Sequence, residues 1–351
     1  MTDDSARLLT DLAELLRVRP GAQVTLARDY DPGYTAGWRR KPTGAEYLQL
    51  SVRLLAEYQD RLAAQDTYGV LVVLQAMDAA GKDGTIRHVM SGVNPQGVVV
   101  HSFKSPSAEE LDHDYLWRCA QRLPARGQIG IFNRSHYEEV LVTRVHPALL
   151  DLQKLPPPAT EGSIWTRRYR EINDWERYLV DNGIRVVKLF LNVSRDEQRR
   201  RFLKRIDVPE KNWKFSMADV TERARWDDYQ EAYSAMLTHT STACAPWHVI
   251  PADHKWFARL AVGAVLVRTL TEIDPHYPTV GAQARQKLQE AKAALEAEAP
   301  ADAVAGGRSG RTASLVSVRE MAARPDSARC QGTRETHHET RPTAAWLSSA
   351  Q

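Results

Sequence analysis

Residues 74–90 read LQAMDAAGKDGTIRHVM, and they leave a short apolar run, YGVLVVLQ at 68–75. A continuous run rich in valine and leucine predicts a strand buried on both faces. Gly81-Lys82 then closes the turn as in the phosphate-binding pattern G-x-x-x-x-G-K-[ST]. There the glycine lets backbone N–H groups face phosphate oxygens, the lysine adds charge, and a helix N-terminus adds its positive dipole end. Residues Ala79, Ala80, Gly81, Lys82, Asp83 and Gly84 form that cradle. Two positions depart from the pattern: Ala76 stands where the first glycine belongs, and Asp83 where the magnesium-binding Ser or Thr belongs. Asp78 adds a further acid. A carboxylate beside phosphate costs repulsion unless it holds a cation or orients the acceptor, so Asp78 reads as a metal ligand or as the acceptor-activating group. The plain alternative is an Ala/Gly-rich turn with a surface lysine. A strand before the loop and a helix after it, through Ile86 to Met90, argue against that.

Working outward, the alternation repeats. Strands are expected at 97–103, 128–132, 184–192 and 247–250, and helices at 45–66, 107–123, 136–145, 164–181 and 254–273. Alternating strands and helices predict an α/β fold with a parallel five-stranded sheet flanked by helices. Ligands of such sheets sit outside the carboxyl ends of the strands. The loop at 76–84, NRSHYEE after the third strand and NVSRDE after the fourth all fall there. Residues 1–44 read as an irregular extension, with DPGYTAGW and KPTG as turn signals. The P-loop domain is expected over 45–280, with a helical lid over 195–239 interrupted near VPEKNWKFS. Residues 281–351 read as a helix followed by a disordered tail poor in large apolar residues from Pro300. The pair His337-His338 in that tail reads as solvated linker.

After the third strand, Asn133 and Arg134 stand ahead of Glu138 and Glu139. Arg134 suits a bidentate clamp on phosphate oxygens. Successive helical residues point about 100° apart, so one of the two acids faces the phosphates. Glu139 is expected to be the metal ligand and Glu138 its support, the alternative being two acids that stabilise a helix dipole. His136 is expected to be packed or solvated. Residues 195–214 carry eight bases against four acids, a net +4 that exceeds the +3 of the whole chain. Arg201, Lys204 and Arg205 share a helical face. Such runs are commonly solvated faces, but this one borders the phosphate loop and a helical break, as a mobile lid does.

Composition sets the outer bounds. In 351 residues, 26% are charged and 43% hydrophobic, ordinary for a globular protein. The small net charge argues against a nucleic-acid partner. The three cysteines, Cys119, Cys244 and Cys330, form no C-x-x-C pair, so neither a disulfide framework nor a zinc site is indicated. No apolar run reaches 18 residues and MTDDSARLL is no secretory signal, so the expectation is a soluble, cytoplasmic protein without membrane partners.

Taken together, DAAGKDG, SFKSPSAEELDHDYLWR, GQIGIFNRSHYEEVLVTRVHP, RYREINDWERYL and RFLKRIDVPEKNWKFS resemble the family-2 polyphosphate kinases over about residues 30–275. The FNRSHYEE form of the second motif resembles the branch that accepts AMP and ADP. The resemblance implies a P-loop kinase fold of the thymidylate-kinase-like kind, dependence on Mg2+, and phosphate transfer from inorganic polyphosphate to adenine nucleotides in a homo-oligomer, a tetramer among the options. It places Asp78, Lys82, Arg134 and Glu138 in catalysis and Asp78 and Glu139 on the metal. It places Arg199, Lys204, Arg205, Lys211 and Lys214 on the polyphosphate. Asn133, Arg134, Lys104 and Arg118 are the candidate nucleotide contacts. Family members often carry Asp at the position of Glu139. The alternatives are an ATP-dependent nucleoside monophosphate kinase and a non-catalytic nucleic-acid-binding P-loop protein. Both anhydrides have similar transfer potential, so the direction of flux stays open.

Overall fold

A computed structural model describes residues 3–38, 41–157 and 163–298 of the chain. The disorder expected from Pro300 and the His337-His338 pair lie outside these residues. Two units separate, one running to Tyr277 and the other beginning at Pro278.

In the first unit the helices are α1 (Asp3–Leu15), α2 (Leu26–Asp29), α3 (Lys41–Gln65), α4 (Lys82–Val89), α5 (Ala108–Leu111), α6 (Trp117–Ala120) and α7 (Glu138–Val145). They continue with α8 (Ile164–Asp181), α9 (Arg195–Asp207), α10 (Met217–Ala224), α11 (Trp226–Thr240) and α12 (Lys255–Ile273). The strands are β1 (Gly69–Ala76), β2 (Val98–Ser102), β3 (Ile129–Asn133), β4 (Ile184–Asn192) and β5 (Trp247–Pro251). They form one parallel sheet in the order β2-β3-β1-β4-β5. Central β1 is buried along all eight residues, as its unbroken apolar run requires. It pairs Val70 with Ile129 on one side and with Arg185 on the other. The connection after β1 runs to the β2 flank and the one after β3 crosses to the β4 flank, so the adjoining carboxyl ends of β1 and β3 open the crevice where such sheets bind ligands. Helices α1, α3, α4 and α12 cluster together, with α12 packed on β4 and β5; α7, α8 and α11 form a second group.

Three expectations need correction. The N-terminus is not an irregular extension. Leu9, Leu12, Ala13 and Leu16 recur at three- and four-residue steps and are buried, fixing α1 against α12. After it, Val18 N–H donates to Trp247 O at 2.8 Å and Val249 N–H to Leu16 O at 2.9 Å, covering the β5 edge. The helix expected over 107–123 is two single turns, because Asp114 Oδ1 accepts the Leu116 N–H at 3.0 Å and offers the backbone a turn instead. The stretch 195–239 is not one lid: α11 belongs to the core through Ala232, Tyr233, Met236 and Leu237.

The second unit holds α13 (Ala282–Glu296), a helix with no buried residue. No helix among the described residues is long and apolar enough to cross a membrane.

Candidate active site

Beyond β1 the chain turns through Ala79 at φ +60° and Gly81 at φ +110° before α4 begins. Both values lie in the left-handed region, inexpensive for Gly81 and strained for Ala79. Ala80 N–H closes the turn on Met77 O, and Thr85 N–H bonds Gly81 O. The first turn of α4 leaves the N–H groups of Lys82, Asp83 and Gly84 without intrahelical partners, as at any helix N-terminus able to face an anion. Lys82 Nζ rests on Ala76 O at 3.0 Å. Burial, with Arg134 nearby, pushes its ammonium down to about 8.

Arg134 enters from the end of β3 in a left-handed conformation, φ +63°, and its N–H holds Leu74 O. That turn aims the guanidinium across the loop, where Nη2 donates to Asp78 Oδ1 at 3.2 Å. Burial opposes the Arg134 charge, but Asp78 and Glu138 more than offset it and raise its pKa. Glu138, in the first turn of α7, faces the same point. Burial pushes its carboxyl up while Arg134 and Lys82 pull it back. Asp78, Lys82, Arg134 and Glu138 therefore converge, although they come from two stretches of chain about 50 residues apart.

Glu139 does not join them. Arg168 of α8 donates to its carboxylate at 2.7 Å and to its carbonyl at 2.8 Å, and Gln153 bonds the same carboxylate at 2.6 Å. The expected metal ligand is thus a buried structural acid, and Glu138 is the one turned to the loop. His136 is packed at 2% exposure beside Glu176, and burial lowers its pKa against the pull of that carboxylate. Cys119 is buried, its thiol pushed up to about 12, which makes it no nucleophile.

On one flank, Asn133 Nδ2 bonds Asp83 Oδ1 at 3.0 Å and Ser102 Oγ at 3.3 Å. Past β2, Arg118 donates to Lys104 O at 2.9 Å and pairs with Glu110, leaving the Lys104 side chain exposed. On the other flank lies a cavity between the loop, α7 and the lid helices. Asp78, Arg134 and Glu138 line one wall; Glu222, Tyr229 and Tyr233 line the other. Glu222 accepts from Tyr229 Oη at 2.7 Å and lies 3.0 Å from His146 Nε2. Burial keeps both tyrosine hydroxyls protonated. Of the four expected nucleotide contacts, Arg134 alone lines this cavity. The tyrosines were missed in the sequence because RARWDDYQEAYSAM reads as charged helix, yet Tyr229 and Tyr233 stand at the four-residue step that stacks side chains on one face.

The lid bases divide. Arg199 and Lys204 are exposed. Arg205 turns inward, donating to Lys214 O at 3.1 Å and lying 3.8 Å from Asp219. Lys211 is half-buried, and Lys214 sits over the Trp213 ring. Arg201 is buried at 7% exposure. Two bases of α12 that pattern reasoning overlooked join the outer face. Burial, then Arg201, Lys204 and Arg259, lower the pKa of Lys255, which places these cations together. Arg259 Nη2 lies 4.0 Å from where a Cβ on Gly84 would stand, next to the start of α4.

A parallel sheet with a phosphate loop at its central strand, a carboxylate inside that loop and bases around its mouth defines a P-loop phosphotransferase. The family model for Polyphosphate kinase 2 (PPK2) matches residues 40–278, and the chain belongs to that family. The ADP-polyphosphate phosphotransferase of Rhodopseudomonas palustris is 50% identical over 278 residues, 78% of this chain and 95% of that protein. The AMP/ADP-polyphosphate phosphotransferase of Meiothermus ruber is 48% identical over 263 residues, 75% of this chain and 94% of that protein. The crystal structure of polyphosphate kinase 2 from Arthrobacter aurescens TC1 aligns with a TM-score of 0.72 at 41% identity, over 80% of this chain and 96% of that one.

Proposed function

We propose that this protein transfers the terminal phosphate of inorganic polyphosphate to AMP and to ADP, with Mg2+ required. One observation carries the reading: Asp78, Lys82, Arg134 and Glu138 meet between an aromatic, carboxylate-bearing cavity and a basic outer face. The cavity suits a nucleoside. Its tyrosine rings can pack a base, Glu222 can accept from ribose hydroxyls, and its acids repel a long phosphate chain. The outer face suits that chain: Lys204, Lys255 and Arg259 gather there, and Arg259 lies beside Gly84 in the first turn of α4.

Transfer then occurs where the two phosphates meet. The acceptor oxygen belongs to a phosphate already largely ionised at neutral pH, so no base is needed to create the nucleophile. Catalysis rests on alignment and charge neutralisation. Lys82 and the cradle N–H groups hold donor oxygens, Arg134 clamps the phosphate between donor and acceptor, and Asp78 fixes the acceptor side. Asp78 and Glu138 fit Mg2+, which takes one or two protein carboxylates and completes its shell with water and substrate phosphates. When bound there, the ion neutralises charge on the reacting phosphates.

The test is a product analysis with polyphosphate, Mg2+ and, separately, AMP, ADP, GMP and GDP. AMP should give ADP and then ATP. Turnover of ADP without AMP would confine the acceptor to diphosphates, and no nucleotide product at all would overturn the reading.

A further inference from the structure

The carbonyls of the phosphate loop face away from its N–H groups, and a single helix collects them. Gln198 Nε2 donates to Asp78 O at 3.1 Å, while Arg201 Nη1 donates to Ala79 O at 3.1 Å and to Ala80 O at 2.6 Å. Three consecutive loop carbonyls thus rest on two side chains of α9 placed one turn apart. Both side chains are buried, at 2% and 7% exposure. The rest of the Arg201 guanidinium is also taken. Nε bonds Glu197 Oε1 at 2.8 Å, and Nη2 donates to the carbonyls of Ala252 and Asp253, just past β5. A guanidinium has five N–H donors, and here every one has a protein acceptor. None remains for a substrate phosphate.

We infer that Arg201, assisted by Gln198, is a positioning residue that sets the phosphate loop from behind, and not a base that grips polyphosphate. In a planar trans peptide the carbonyl and the following N–H point in opposite directions. Holding Ala80 O against Arg201 therefore turns the Gly81 N–H towards the phosphate. Ala79 has to sit at φ +60° to deliver its carbonyl to the same guanidinium, and the two bonds offset that strain. A lysine cannot substitute: its ammonium is a point charge, whereas the planar fork reaches the loop on one side and the end of β5 on the other. The inference rests on the phosphotransfer reading for its kinetics but not for its geometry.

Arg201→Lys separates the two roles because it keeps the charge and loses the fork. The expected result is a fall in kcat of about 10²-fold, the scale of an ångström's misplacement. The KM for polyphosphate and its salt dependence should stay within about two-fold, since no phosphate contact is removed. Amide hydrogen exchange over residues 78–84 should accelerate in the free protein while the strands stay protected. Retained kcat with unchanged exchange would overturn the inference, and so would a selective rise in polyphosphate KM with a shallower salt dependence. Should Arg201→Lys fail to fold, Glu197→Gln loosens the same guanidinium and should show the same pattern in milder form. An inactive wild-type protein would count against the phosphotransfer reading alone, because the exchange comparison still decides the role of Arg201.

Discussion

Lys82 carries a titration with a visible consequence. Its ammonium is pushed down to about 8 by burial and by Arg134. In the free protein the charge is lost as pH rises through that value, so kcat/KM for polyphosphate should fall above about pH 8. Bound phosphate restores the proton, which moves the basic limb of kcat itself higher. For stability the sign is opposite. The folded state releases this proton below the ordinary lysine value of 10.5, so between about 8 and 10.5 the unfolded chain binds more protons and this group's contribution to stability rises with pH. A kcat/KM that stays flat to pH 9.5 would contradict the placement of Lys82. The adjacent acids give a second test. Glu138→Gln should lower kcat by about 10²–10³-fold, as loss of a preorganised charge at the reacting centre does. Glu139→Gln should leave the chemistry nearly intact and lower the thermal midpoint, because it weakens the buried pair with Arg168. The sequence indicated that only one of these two acids faces the phosphate loop, and its reading favoured Glu139, the wrong one. That choice belongs to Arg168, 29 residues further on, whose pull on Glu139 no local spacing reveals.

At the scale of elements, the sheet was readable because its strands are continuous apolar runs between polar turns. Helix α1 was equally readable in principle. LLTDLAELL repeats its leucines at helical steps, but the turn signals that follow led to an irregular reading. Packing makes this helix part of the domain. Leu9 is fully buried, so Leu9→Ala should cost about 2–5 kcal/mol of stability, measured as a lower urea midpoint at unchanged slope. A loss below about 0.5 kcal/mol would mean that α1 is dispensable decoration. The division of the basic stretch was legible only in part. Its charge pattern marks a face near the phosphates, whereas the inward turn of Arg201 and Arg205 depends on carbonyls and acids contributed by distant or adjoining turns. Lys255 and Arg259 escaped notice because each looks like an ordinary surface base until α12 is laid beside α4.

For the whole molecule, strand order decides which loops meet. The sequence implied parallel strands, but only the order β2-β3-β1-β4-β5 brings the ends of β1 and β3 side by side and sets α9 behind the loop. That juxtaposition sets a basic outer face and an aromatic, carboxylate-lined cavity about Asp78, the places we propose for the polyanion and the nucleoside. The most direct test follows the phosphate itself. Single-turnover transfer would be measured from radiolabelled polyphosphate to unlabelled AMP with Mg2+, alongside γ-labelled ATP as the competing donor and Asp78→Asn as the control. The account predicts label at the β-phosphate of ADP from polyphosphate, and a drop of about 10²–10³-fold in the control. Label reaching ADP from ATP alone, or passing from polyphosphate undiminished in the Asp78→Asn protein, would contradict it.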